Sequence, residues 1–287
     1  MDRAMFLSTL AALAALSSQA MAADEKPAKT YEVEAIKDVS YYDGADRDKV
    51  KHNLDLYLPK GLKDYPVLFF VHGGAWVTGD KDQFGVYAAF AGAFAKLGIG
   101  VVVTNYRLSP AIAHPEHVKD VARSFAWTTK NIAKHGGNKD RIFLCGHSAG
   151  AHLVALLATD ASYLKTHDLT SKAIRGVLPI SGPFVLSPGF MPRVFGDDKK
   201  AAPAAAPIAH VRKELPPFLI VFADKDFVGC DKRPAEAFCK ALKGKGNVAE
   251  TLEIKNHNHI TVMMSAGIPA GKAHQAIVEF IRQQSAK

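Results

Sequence analysis

Cysteine is scarce in this sequence of 287 residues, three in all, and no two of them form a CxxC pair. That scarcity excludes a disulfide-framework fold and a cysteine-based zinc site. Long apolar runs are missing as well: beyond residue 22 no stretch reaches 18 uninterrupted apolar residues, so no stable membrane insertion is expected. The 36 Lys and Arg against 28 Asp and Glu leave a net charge of +8, yet the excess never gathers into a basic run. It amounts to −2 over residues 23–60, +5 over 61–192, +3 over 193–255 and +2 over 256–287. Phosphate tracking needs clustered cations, and no zinc-finger spacing or RNP-type aromatic motif accompanies the charge, so no nucleic-acid partner is expected. There is no internal repeat and no linker-like stretch. With 48% hydrophobic residues the chain can bury a large single core.

Residues 1–22 read as an export signal. Arg3 precedes an apolar stretch from Met5 to Leu16, followed by Ser17-Ser18-Gln19 and the small-x-small site Ala20-Met21-Ala22. The expectation is an exported protein, periplasmic or extracellular, with residues 23–287 forming one domain. In an oxidising compartment Cys230 and Cys239 have the spacing to close a small loop, but spacing alone does not decide a disulfide.

Short apolar runs rich in β-branched residues recur along that domain: Val67–Val71, Val101–Val103, Ile142–Cys145, Val177–Ile180 and Phe218–Phe222. Runs of this kind are strands buried on both faces, as in a parallel sheet. Between them lie segments of helical spacing, among them Val118, Val121, Phe125 and Ile132, a pattern ended by Gly136-Gly137. Ala149–Ala158, Ala235–Leu242 and Ala273–Ile281 repeat it. Alternating β and α units predict a doubly wound, mostly parallel α/β sheet. Tyr31–Val39 and Lys51–Tyr57 instead alternate polar and apolar residues around a turn-rich connection, which predicts an antiparallel hairpin at the N-terminal edge. Residues 182–217, rich in Ala and Pro, read as a loop-like short cap or insertion.

Three stretches carry chemistry. Gly146-His147-Ser148-Ala149-Gly150 follows a strand and precedes an apolar helix. Such a turn lifts a serine hydroxyl out of the sheet at a helix N-terminus, and its tightness demands small neighbours. Ser148 is therefore the candidate nucleophile, with His147 packed beside the turn. His72-Gly73-Gly74-Ala75-Trp76 follows another strand. Its glycines leave backbone N–H groups free to face a developing oxyanion, together with the N–H of Ala149. A serine also needs a base and a carboxylate to orient it, in the chain order serine, acid, histidine. Asp224 and Asp226 follow the strand Phe218–Phe222, and His257 and His259 follow a strand expected at Glu250–Ile254. Asp226 is preferred because Asp224 sits close enough to the strand end to act as a turn cap, and His259 because it opens the last helical region.

With Asn105-Tyr106-Arg107-Leu108-Ser109-Pro110 and Leu54–Tyr57 added, these stretches resemble the α/β-hydrolase superfamily. More narrowly the chain is similar to hormone-sensitive-lipase-like carboxylesterases, bacterial feruloyl/acetyl esterase-like proteins and arylformamidases. The resemblance runs from about Tyr31 to the C-terminus. It implies an α/β-hydrolase fold, a catalytic set of Ser148, Asp226 and His259, and oxyanion donors at Gly74, Ala75 and Ala149 with Gly73 allowing the turn. It also implies a substrate pocket flanked by Trp76 and His147, and an architectural Arg107 whose candidate partner is Asp120. Ala75 departs from the family's frequent third glycine, and Ala223 from its usual glycine ahead of the acid. No metal or cofactor is implied. The expected partner is a small ester, an esterified saccharide included, and no feature sets an oligomeric state. Formamide hydrolysis and a non-catalytic binding role are the alternatives, the latter opposed by the presence of all three catalytic residue types.

Overall fold

The computed structural model describes residues 29–286; the expected export signal, residues 1–22, lies outside the described residues. From Tyr31 onward the chain forms one compact unit. Its strands are β1 (Val33–Ser40), β2 (Asn53–Pro59), β3 (Tyr65–Val71), β4 (Gly100–Thr104), β5 (Gly137–His147), β6 (Gly176–Ile180), β7 (Phe218–Lys225) and β8 (Ala249–Asn258). Six longer helices are α1 (Val86–Ala95), α2 (Glu116–Asn131), α3 (Ala149–Thr159), α4 (Lys232–Gly244), α5 (His259–Gly267) and α6 (Lys272–Ser285). The strands form one sheet in the order β1-β2-β4-β3-β5-β6-β7-β8. Only β2 runs antiparallel to its neighbours β1 and β4; every pairing from β4 to β8 is parallel.

Period-two alternation divides the strands between two cores. Val67, Phe69 and Val71 of β3 face the layer of α2, α3 and α4, whereas Leu68 and Phe70 face the layer of α1, α5 and α6. Both faces are covered, so the interior strands are apolar throughout. The predicted hairpin is present, but its polar alternation has an unexpected meaning. Asp55 of β2 is completely buried and accepts from Lys81 Nζ at 2.7 Å and from Asp38 N–H at 2.9 Å, with the Lys37 ammonium also against it. A buried carboxylate is tolerable because it is paired and hydrogen-bonded. Arg107 grips Asp120 with Nε and Nη2, each at 2.8 Å, the pairing expected from the sequence.

Residues 182–217 are more ordered than a loop. Short helical turns at Pro192–Phe195, Ala201–Ala205 and Pro207–His210 bury Val194, Phe195, Ala202 and Ala205. Turns of four or five residues are too short to register as a helical period, which is why the segment reads as irregular. Cys145, Cys230 and Cys239 are all free thiols. Cys239 lies on the buried face of α4, while Cys230 lines a cavity described below.

Candidate active site

The sheet ends β3, β5, β6, β7 and β8 at Val71, His147, Ile180, Lys225 and Asn258. The next residues along the chain are His72, Ser148, Ser181, Asp226 and His259, so the chemistry-bearing side chains follow the carboxyl ends of parallel strands. In open α/β sheets that edge is where ligands bind. Ser148 has φ 56° and ψ −118°, a conformation that L-residues rarely adopt. Its N–H donates to Ile180 O at 2.9 Å. The glycines around it are steric necessities: a Cβ on Gly146 would lie 2.5 Å from the Gly150 carbonyl, and one on Gly150 would lie 2.1 Å from Val71 O. Helix α3, which begins at Ala149, is buried along its whole length, and its N-terminus sits beside the serine.

The loop after β3 closes on the same point. A Cβ on Gly73 would stand 3.1 Å from both Ser148 Cβ and His147 Nδ1. Gly74 has φ 113°, and Ala75 and Trp76 follow at 52° and 61°. Val77 and Thr78 both donate to Gly74 O. The N–H groups of Gly74, Ala75 and Ala149 donate to no acceptor among the described residues. Trp76 is buried edge-on against His152 and Phe195, at 5.0 and 5.1 Å between ring centroids.

Of the paired candidates, the structure brings Asp226 and His259 together. His259 Nδ1 donates to Asp226 Oδ1 at 2.6 Å, which leaves the lone pair on Nε2. The same oxygen accepts from Phe227 N–H at 2.9 Å, and Oδ2 accepts from Ala223 N–H at 3.1 Å and from the Ser181 hydroxyl. Burial pushes the Asp226 carboxyl up, but the hydrogen bonds from His259, Ser181 and Ala223 outweigh it and hold it below the usual carboxylate range. Asp224 accepts instead from the N–H groups of Asn256 and His257 at 2.9 and 3.0 Å, bracing the end of β8. His257 is turned to Lys255 O and stands apart from this cluster.

Two contributors were not read from the sequence in these roles. Ser181, completely buried just past the end of β6, donates to the Asp226 carboxylate; a small polar residue closing the strand beside the serine's own was the available signal. His147 was expected beside the turn, and it also holds the candidate base in place. Its Nε2 donates to His259 O at 2.8 Å, and burial depresses its pKa to about 4, so it is a neutral, fixed donor. The Phe227 ring stacks on the His259 imidazole at 4.4 Å.

Ser148, His259, Trp76, His147 and the glycines of the loop all line one cavity of about 700 Å³, whose outer wall includes Leu186, Phe190 and Met191. A more open groove of about 1140 Å³ lies between Ala161 and Pro217 and contains none of these residues. Among the described residues no group of three or more His, Cys, Asp or Glu is arranged to hold a metal ion, and no helix is long and apolar enough to cross a membrane.

Solved structures share this architecture. A truncated carbohydrate esterase from gut microbiota superposes with a TM-score of 0.74 at 21% identity, covering 90% of this chain and 98% of that one. Esterase B from Lactobacillus rhamnosis, solved with an inhibitor, gives 0.74 at 19% identity over 97% and 95%. The BD-FAE family profile matches residues 54–184. Esterase LipQ of Mycobacterium tuberculosis is 30% identical over 239 residues, 75% of this chain and 55% of its own length. The chain shares the α/β-hydrolase fold of these solved structures and is similar in sequence to carboxylic ester hydrolases. Isoprenylcysteine alpha-carbonyl methylesterase ICME of Arabidopsis thaliana is 28% identical over 78% of this chain and 57% of its own. The chain thus spans little more than half the length of these curated relatives.

Proposed function

We propose that this α/β-hydrolase cleaves carboxylic esters of small to medium acyl or aryl type through an acyl-enzyme on Ser148. The observation that carries the reading is the 2.6 Å bond by which the buried Asp226 orients His259, which lines the cavity together with the elbow serine and the loop whose N–H groups are unengaged. His259 takes the Ser148 proton at Nε2, and the alkoxide attacks the ester carbonyl. The N–H groups of Gly74, Ala75 and Ala149 receive the oxyanion, and Asp226 stabilises the imidazolium. Water then enters by the same base and releases the acid. Esterified saccharides fall within the proposed range, supported by the description of one structural neighbour as a carbohydrate esterase. An exported site of action belongs to the same proposal and rests on residues 1–22.

The test is covalent labelling by a fluorophosphonate together with turnover on esters graded by acyl length and alcohol, acetylated and feruloylated sugars and N-formylkynurenine included. Ser148→Ala is expected to abolish labelling and to cost on the order of 10⁶ in turnover. Near-normal ester hydrolysis by that variant overturns the assignment.

A further inference from the structure

The cavity at Ser148 adjoins a side chamber of about 230 Å³. The two share Gln83, Tyr87, His147 and Ile260 as common wall, while Phe84, Met263 and Met264 line the chamber alone. Apart from Gln83, His147 and the Tyr87 hydroxyl, the chamber wall is apolar. The imidazole of His147 offers little to a guest, because its Nε2–H is already given to His259 O. At the mouth, apolar side chains stand unusually free: Phe84 is 92% exposed, Ile260 53% and Met264 48%. Exposed apolar groups converging on one opening mark a binding surface rather than scattered surface residues.

The position of the chamber says which half of an ester it would receive. His259 is the first residue of α5, and Ile260, Met263 and Met264 follow it on that helix. When the Ser148 Oγ–carbonyl carbon bond has formed, the bond from that carbon to the alcohol oxygen breaks, and the proton His259 took from Ser148 passes to the departing oxygen. The alcohol must therefore lie on the imidazole side, where α5 begins and the chamber opens. The acyl group is left to the larger cavity along Phe190 and Met191.

Volume and chemistry set the class of alcohol. An apolar cavity of roughly 150 Å³ is enough to take up benzene, so about 230 Å³ accommodates one aromatic ring with a short arm. Two thioethers suit the edge of such a ring. A sugar there would leave most of its hydroxyls without partners, which is costly. We infer that this chamber is the leaving-alcohol subsite and that it selects alcohols carrying a single aromatic ring, which narrows the range proposed above to such alcohols in place of saccharide ones; the inference rests on the esterase reading of Ser148.

The test holds the acyl group at acetyl and varies the alcohol through methyl, benzyl and 2-naphthylmethyl. Wild-type protein should favour benzyl over methyl acetate at least tenfold in kcat/KM. Met264→Trp, which fills the chamber from a half-exposed position, should erase that preference, and Met264→Ala should extend it to the naphthyl ester. A benzyl-to-methyl ratio that neither variant moves, or variants that instead shift the acyl-length profile of methyl esters, overturns the inference. A second arm needs no turnover: benzyl alcohol titrated into Ser148→Ala protein by ligand-observed NMR should bind, about tenfold more weakly when Met264→Trp is added, with glucose as the non-binding control. Absent benzyl alcohol binding in the Ser148→Ala protein, while wild-type protein is labelled at Ser148 by fluorophosphonate, refutes the chamber alone. Failure of wild-type protein to be labelled, with benzyl alcohol binding intact, refutes the esterase reading, and with it the alcohol's role as leaving group.

Discussion

Acidification from pH 7 to pH 5 should come close to unfolding this protein, and the cause is buried histidine. His72, His117 and His147 are each depressed to about 4, and His152 to about 3, in every case chiefly because burial penalises the cation. All four are at most 6% exposed. Protonation also has no structural outlet, since the free ring nitrogens His72 Nε2, His117 Nδ1 and His152 Nδ1 face no acceptor. An unfolded histidine titrates near 6.5, so between that value and 4 the unfolded chain binds protons that the folded one refuses. The stability these residues contribute is intact above about pH 6.5 and is withdrawn as the pH falls towards 4. At pH 5 each group has cost about 2 kcal/mol, and four acting independently approach 8 kcal/mol, against a typical total of 5–15. Urea unfolding followed by circular dichroism at pH 7, 6 and 5 measures the slope directly. His152→Gln, which removes one of the four titrations, should flatten it by roughly a quarter. A free energy of unfolding that changes by less than about 1 kcal/mol between pH 7 and 5 would refute the reasoning, because even one such histidine exceeds that.

Three further outcomes concern the site itself. Ser181→Ala removes a hydroxyl donor from the ionised Asp226; ester turnover should fall about tenfold with KM little changed, as for the loss of a charge-assisted hydrogen bond of about 1.5 kcal/mol. Steady-state kinetics showing no change in kcat would mean that Ser181 does not support the acid. Gly73→Ala sets a methyl group about 3 Å from Ser148 Cβ and His147 O; the elbow cannot yield without losing its geometry, so kcat should drop at least a hundredfold while circular dichroism stays native, and retained turnover would show the loop free to move. Ala75→Gly should raise stability by about 0.5–1 kcal/mol in the same urea assay, because Ala75 sits at φ 52° and glycine carries no penalty there; a loss of stability would show that the alanine methyl contributes more than its backbone strain costs.

What could be read from the sequence and what could not divides along one physical line, the distance over which a constraint acts. The elbow is legible because its constraint is local: Gly146 and Gly150 are needed by a turn that they themselves make, so the requirement is written within five residues. The hairpin and the buried strands are legible for the same reason, as patterns of period two or of unbroken apolarity. Helix α1 is not legible in the sequence, because it is apolar around most of its circumference between the sheet and α5 and shows no amphipathic stripe. Ser181 carries no local signal of its role, because its meaning depends on β6 lying beside β7, which brings it to a carboxylate 45 residues away. Asp55 is a polar member of an alternating strand, and only the approach of Lys37 and Lys81 makes its burial possible. The cavity walls are the extreme case. Phe84, Phe190, Phe227 and Met264 come from four separate segments whose neighbourhood exists only in the folded chain. The chemistry of a hydrolase of this kind is concentrated in short motifs at strand ends, while its choice of substrate is distributed over loops and helix starts that share no local pattern. A substitution in a motif should therefore change how fast any ester is cleaved, and one at the cavity wall should change which ester is cleaved; Met264 and Gly73 are the pair of positions where that separation can be measured.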